Sequence, residues 1–406
     1  MQRFSFSVVF VGFFMLSLVF AGGLKKRVVG YYPVWKYRDP DNPVKILDIP
    51  YEKLTHINFA FFTVFPDGRI APMDTLEEVT RLVLDGVVER GQRVSLPGVA
   101  HRNGVKVLAS IGGWEDSEYF SFVARSKRYR ENFAKECIKL VKRYDFDGVD
   151  IDWEYPGYVP HNGIPEDREN FTLLMREIRN KLDTLSMVTG RYYELTAALP
   201  ASRKHLQFIE LGKIDKIIDF HNVMTYDYYG VWDSLSNFNS PLFPSSCGDG
   251  EYCIDGTFKV YTEDFGIAPD RINIGIPFYG RAFAGCTGPC MPHSGVDTVL
   301  FNEVKGYPIY RGLIRRMDEF VRCWDDDAEV PYLVNEKKRV FVTYEDEKSV
   351  LCKARYVSSK GIGGVIIWEI TLDCVGEGKF PLLDVIYREF EGKREEKLKR
   401  LFRLLR

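Results

Sequence analysis

The chain has almost no excess of charge of either sign. Its 55 Lys and Arg stand against 57 Asp and Glu, a net charge of −2 over 406 residues. Proteins built to grip nucleic acid show a strongly basic face, so no nucleic-acid partner is expected. Histidine is scarce, with six residues (His56, His101, His161, His205, His221 and His293) that never fall at metal-ligand spacing, and the eight Cys contain no C-x-x-C. Neither a metal site nor another cofactor is therefore expected. A Gly-rich phosphate loop is missing too. The first apolar run reads Tyr31-Tyr32-Pro33-Val34-Trp35, where an open doubly wound sheet would carry G-x-G-x-x-G. Repeats of solenoid period and low-complexity linkers are also lacking.

What the chain does have is globular composition, with 45% hydrophobic and 28% charged residues. Aromatic residues are abundant at 14%, more than a core alone requires, so some rings are expected to face a ligand. Arg3 followed by the apolar run Val8 to Phe20 and the small-residue site at Ala21 forms a secretory leader over residues 1–21. An uncleaved anchor is the alternative, although the run is short for a membrane span. Export to the extracellular space is expected, with the periplasm as the alternative. In an oxidising compartment, the close pairs Cys247/Cys253 and Cys286/Cys290 offer short disulfides across Gly/Pro-rich loops. Cys137, within a helical pattern, is expected to be a buried thiol.

Eight apolar runs alternate with amphipathic stretches. They span Val28–Trp35, Leu54–Val64, Lys106–Trp114, Gly148–Tyr155, Tyr192–Pro200, Phe220–Tyr229, Ile272–Phe283 and Gly363–Ile370. Helical spacing marks 117–144 and 168–186, the latter through Phe171, Leu174, Met175, Ile178 and Leu182. Eight strands alternating with helices predict an α/β fold, a closed (β/α)8 TIM barrel. The stretch after Phe283 is too long for a bare loop, so a small α+β insertion between strand 7 and helix 7 is expected. The predicted division is a barrel over 22–283 and 346–392, an insertion over 284–345 and a tail over 393–406. That tail has seven basic residues against two acidic, with Leu398, Leu401, Phe402 and Leu405 at helical spacing. It reads as a solvated extension of the last helix, or as a basic amphipathic segment touching a membrane or another anionic surface.

The densest chemistry lies in Asp147-Gly148-Val149-Asp150-Ile151-Asp152-Trp153-Glu154. In a strand, Val149, Ile151 and Trp153 share one face, and Asp150, Asp152 and Glu154 share the other. If the apolar face packs on the helices, three carboxylates climb the barrel interior toward its C-terminal rim, about 7 Å apart in succession. Like charge and desolvation together keep at least one protonated near neutral pH, and a proton-bearing Glu at the rim is a general acid. A solvated strand face or a magnesium site are the alternatives for the same acids.

The D-x-x-D-x-D-x-E pattern of Asp147, Asp150, Asp152 and Glu154 resembles the signature of family 18 glycoside hydrolases, the chitinases. Ser110-Ile111-Gly112-Gly113-Trp114 is similar to the family's S-x-G-G motif, and Met224-Thr225-Tyr226-Asp227 to its M-x-Y-D motif. Gly275 to Arg281 and Gly364 to Glu369 resemble its seventh and eighth strands. Tyr229 stands where animal members often have His, which brings the resemblance nearer to bacterial forms of subgroup A. The resemblance implies hydrolysis of β-1,4-linked N-acetylglucosamine polymers by a retaining, substrate-assisted mechanism. It implies Glu154 as acid/base, Asp152 as the partner of the substrate acetamido group, Asp150 as its deeper neighbour and Tyr226 as a donor to the acetamido carbonyl. Met224 and Asp227 would line the same subsite, and Trp368 would floor it. Trp35, Trp114 and Trp232 would stack on sugar, with core packing as the alternative for each Trp, and Arg281 would make a polar contact. Another N-acetylated glycan as substrate, or a chitin-binding lectin on the same fold, are the competing functions. A monomer without a separate carbohydrate-binding module is expected.

Overall fold

A computed structural model describes residues 24–391 except 302 and 303, so the predicted leader and the basic tail lie outside the described residues. Eight strands rich in Val, Ile and Ala alternate with helices. They are β1 (Arg27–Pro33), β2 (His56–Val64), β3 (Lys106–Gly112), β4 (Gly148–Asp152), β5 (Glu194–Pro200), β6 (His221–Met224), β7 (Ile272–Pro277) and β8 (Gly364–Trp368). All pair in parallel, in the order β1-β8-β7-β6-β5-β4-β3-β2, and β1 returns onto β2 to close the (β/α)8 barrel.

The two-residue period of a strand sorts its side chains between two environments. Val149 and Ile151 of β4, Leu195 and Ala197 of β5, and Ile274 and Ile276 of β7 join the large core between strands and helices. Trp153 packs there against Phe120, with ring centroids 5.3 Å apart. The intervening positions are polar yet buried: Asn58, Ser110, Asp150, Thr196, Asn222 and Asn273. The interior of this barrel therefore holds a column of polar groups beside a small apolar cluster that includes Val29, Ala198, Phe220 and Ile366.

Several predicted boundaries shift for local reasons. The helix expected over 117–144 is two helices, Phe120–Arg125 and Lys127–Tyr144, because the Ser126 hydroxyl accepts from Tyr129 N–H and caps the second. The seventh predicted run joins two strands. β7 stops at Pro277, and Arg281–Ala284 turns off into a separate antiparallel sheet. That sheet runs Arg281–Ala284, Val340–Thr343, Val330–Asn335, Val321–Asp325, with Ala282, Leu313, Leu333 and Val342 in one small core. Val330–Asn335 forms a strand despite Pro331.

The expected short disulfides do not form. Cys247 bonds Cys290 across 43 residues, tying the loop after β6 to the start of the insertion. Cys253 is instead spent as a helix cap, its Sγ accepting from Gly256 N–H at 3.2 Å, and Cys286 is buried beside Phe283 and Phe341.

A wholly buried ion pair fastens the small sheet to the barrel helices. Glu345 follows strand Val340–Thr343, and Lys353 lies in helix Glu347–Ser359. The Lys353 ammonium bonds Glu345, and it donates to the Ser240 carbonyl at 2.6 Å and the Ser240 hydroxyl at 3.2 Å. Removing one partner of such a pair strands a charge, whereas replacing both with apolar groups is often neutral. Lys353→Met should therefore lower the unfolding free energy by about 3 kcal/mol in urea melts. Lys353→Met combined with Glu345→Leu should regain most of that loss. A double variant no more stable than the single would show that the charge is not the source of the cost.

Candidate active site

β4 and the two residues after it bring three acids to the upper end of the barrel, each in a different environment. Asp150 is enclosed. It accepts from Tyr31 Oη at 2.8 Å, Ser110 Oγ at 2.9 Å, Thr196 Oγ1 at 2.5 Å and Asn222 Nδ2 at 3.2 Å. Burial pushes its carboxyl upward, and the four donors pull it back. Asp152, one layer higher, is also buried, but its Oδ1 has no hydrogen-bond partner among the described residues. Desolvation, then the charges of Glu154 and Asp150, raise its carboxyl well above the ordinary value.

Glu154 lies just past the end of β4, and its backbone is held from both sides. Its N–H donates to Ser117 Oγ at 2.9 Å, and its carbonyl accepts from His161 Nδ1 at 2.7 Å. Desolvation, with a smaller contribution from the Asp227 charge, pushes the Glu154 carboxyl up to about 7 against a hydrogen bond from Tyr155. A carboxyl so placed holds its proton near neutrality, as expected from the sequence.

Glycines let the chain close around these groups. Gly112 and Gly113 both have positive φ, and a Cβ on Gly112 would lie 2.2 Å from the Asp152 carbonyl oxygen. The S-x-G-G motif is thus a close approach of β3 to β4. A Cβ on Gly275 would lie 2.6 Å from the Tyr226 ring, so β7 makes room for Tyr226 to lie across it. Burial and the charges of Asp152, Glu154, Asp227 and Asp150 all raise the Tyr226 hydroxyl, which keeps it a donor among four acids.

The structure gathers Trp368, Met224 and Tyr226 with Tyr31, Phe61 and Tyr155 into one apolar cluster, which continues down the interior through Val29, Ile366 and Phe220. Trp368 is partly open and stacks on Phe61 at 5.7 Å and 17°. A cleft of about 320 Å³ runs from this floor, lined by Trp35, Lys36, Asp227, Tyr279, Tyr307 and Glu369 among others. Trp35 is 38% exposed, Trp114 47% and Trp232 58%, so none of the three is spent on core packing. Trp114 stands apart from that cleft, in a group with Tyr155, Tyr158 and His161. Asp227 is clamped rather than free. Its Oδ1 accepts from Tyr279 Oη at 2.6 Å and pairs with Arg281 Nη2 at 2.6 Å, while Trp232 and Tyr307 flank the Arg281 guanidinium at 4.5 and 4.7 Å.

Sequence reasoning passed over Tyr31, Phe61, Tyr155, Tyr279, Tyr307, His161 and Glu369. Tyr31 lies in the first apolar run and Tyr279 in the Gly275 to Arg281 segment, where inward/outward alternation could have marked them. Phe61 lies in the second apolar run, where alternation could have marked it, whereas Tyr307 and His161 sit in segments with no pattern of their own.

The glycosyl hydrolases family 18 model matches residues 27–373. Chitinase A1 of Niallia circulans is 32% identical over 397 residues, 86% of this chain and 56% of that protein, so the chain spans little more than half of that relative. The group IV chitinase of Ostrinia furnacalis superposes with a TM-score of 0.78 at 27% identity, covering 90% of this chain and 99% of that one. A family 18 N-acetylglucosaminidase from Paenibacillus barengoltzii gives a TM-score of 0.74 at 29% identity, covering 90% and 99%. A closed barrel with its acids on β4, matched by the family model from the first barrel strand to beyond the last, places this chain in glycosyl hydrolase family 18.

Proposed function

We propose that the chain hydrolyses β-1,4-linked N-acetylglucosamine polymers, chitin or chitooligosaccharides, with retention and with the substrate's own 2-acetamido oxygen as nucleophile. One observation carries this reading. A carboxyl pushed up to about 7, Glu154, sits above a second acid, Asp152, whose Oδ1 meets no protein donor. Glu154 protonates the glycosidic oxygen and then takes a proton from the attacking water. Asp152 accepts the acetamido N–H on its open oxygen and stabilises the positive charge of the oxazolinium. Asp150 lies one layer deeper, pairs with Asp152 and tunes its protonation, and the Tyr226 hydroxyl donates to the acetamido carbonyl. Met224 and Asp227 line that subsite over the floor of Trp368. Trp35, Trp114 and Trp232 offer further stacking faces, and Arg281 holds Asp227 in place.

The reading extends to the rest of the chain. Residues 284–345 form one wall of the groove, the chain acts as a monomer, and residues 1–21 direct export. Among the described residues no helix is long and apolar enough to cross a membrane. Product analysis on chitooligosaccharides separates the competing functions. Binding without products would identify a lectin, and cleavage only of other N-acetylated glycans would move the substrate.

Glu154→Gln keeps the shape and removes the transferable proton, so kcat should fall by at least about 10²-fold while oligosaccharide binding survives. In the intact enzyme kcat/KM should decline as pH rises through about 7, where Glu154 loses its proton. The same shift has a sign for stability. A carboxyl whose folded value exceeds its unfolded one costs stability as pH rises between the two, so Glu154→Gln should raise Tm at pH near 8. An unchanged or lower Tm there would mean that Glu154 is not held protonated by the fold.

The nucleophile belongs to the substrate in this mechanism. A fully deacetylated oligomer should therefore be refractory even to the intact enzyme. If it were cleaved as fast as the acetylated one, the acetamido pathway would be wrong and an aspartate would have to attack.

A further inference from the structure

A continuous chain of side chains runs down the barrel interior from Asp150 to the floor. Asn222 Nδ2 donates to Asp150 Oδ1 at 3.2 Å, Asn273 Nδ2 to Asn222 Oδ1 at 2.9 Å, and Arg27 Nε to Asn273 Oδ1 at 2.9 Å. The direction of every bond is set from one end. A guanidinium can only donate, so Asn273 must turn its oxygen toward Arg27 and its nitrogen toward Asn222. Asn222 must then present its own nitrogen to Asp150. The hydroxyls of Tyr31, Ser110 and Thr196 can rotate to meet either form of that acid, but an amide N–H can only give.

The backbone is shaped for this path. Arg27 is in register with Gly364 of β8, and Gly364 with Asn273 of β7, so the Arg27 side chain must cross β8 to reach Asn273. A Cβ on Gly363 would lie 1.8 Å from Arg27 Nη2 and one on Gly364 2.7 Å from Arg27 Cβ, so both crossing positions need glycine. The guanidinium is seated over the Phe220 ring at 4.6 Å and also donates to the Asp270 carbonyl.

We infer that Arg27, Asn273 and Asn222 are positioning residues that act from the barrel floor to hold Asp150 as the ionised member of the Asp150–Asp152 pair. The inference deepens the proposed function and rests on it. It accounts for the contrast between the two acids, since Asp150 is surrounded by donors of which one cannot reverse, whereas Asp152 Oδ1 meets none. The charged and titratable groups facing this chain are Tyr31, Asp152 and Tyr226 around Asp150, and Lys26, His221, Asp270, Glu194 and Arg271 around Arg27.

Asn273→Asp tests the direction of the chain at constant shape. A carboxylate beside Arg27 can only accept, so Asn222 must turn its nitrogen toward position 273 and its oxygen toward Asp150, which can then bond it only by holding a proton. Arg27→Met removes the anchor at the half-buried end of the chain, and Arg27→Lys keeps a cationic donor. Two readouts are taken on the full chain. One is the acid limb of kcat/KM on a chitooligosaccharide. The other is the infrared absorption of un-ionised carboxyl through a pH titration without substrate, with Asp150→Asn identifying the band. Asn273→Asp and Arg27→Met should move both the limb and the Asp150 band upward by about one pH unit or more. Arg27→Lys should stay near the parent. An unmoved Asp150 band in either of the first two variants overturns the inference, as does a shift in Arg27→Lys equal to that in Arg27→Met, which would mark a packing role. The infrared reading needs no turnover. A chain inactive on chitooligosaccharides would thus sink the proposed function while leaving this test decided on its own.

Discussion

A carboxylate in the middle of a barrel is costly unless donors surround it, and Asp150 imposes that demand on every strand it faces. Tyr31 answers from β1, Ser110 from β3, Thr196 from β5 and Asn222 from β6. Ser110 and Thr196 are the residues directly in register with Asp150 on the flanking strands. A slip of one residue would send each donor to the helix-facing side and leave the acid bare. Satisfying one buried charge therefore selects the register of half the barrel. The next layer up depends on this. With the donors consumed at Asp150, Asp152 keeps an oxygen without a partner, and its environment raises the cost of a second charge there.

The small sheet is coupled to the same site through one residue. Arg281 opens strand Arg281–Ala284 and also pairs with Asp227, the last residue of the M-x-Y-D motif. Its guanidinium lies between Trp232, from the loop after β6, and Tyr307, from the insertion. The disulfide Cys247–Cys290 fastens the same two regions at another point, and the buried Lys353–Glu345 pair joins the small sheet to helix Glu347–Ser359. A covalent bond, a buried ion pair and a site residue thus tie the small sheet and its flanking loops to the barrel.

Sequence alone was enough for the barrel and for the order of its acids, because both follow from short-range periodicity. Alternation along Gly148 to Glu154 places apolar groups on one face and carboxylates on the other whatever the partners are, and Val149, Ile151 and Trp153 share the core between strands and helices. Eight such runs separated by helical spacing leave few architectures other than a closed barrel. Glycine motifs were legible as motifs, since a pair such as Gly112-Gly113 is a local backbone requirement.

What the sequence could not supply were relations between residues far apart in the chain. The cysteines show this: nearness in sequence pointed to Cys247/Cys253 and Cys286/Cys290, while folding joined Cys247 to Cys290 and gave Cys253 to a helix cap. Arg281 looked like the end of a barrel strand, although the chain had already turned away at Pro277 to begin another sheet. Asn222, Asn273 and Arg27 carry no motif, and only closure of β1 onto β8 and β7 sets them end to end beneath Asp150. The sequence by itself determined which faces of each strand are polar and where the acids stand along β4, because those depend on a period of two residues. Which donor meets which acid, which carboxyl keeps the proton and which cysteines bond were decided by the tertiary structure, because desolvation and hydrogen bonding act across distances that only the closed barrel defines.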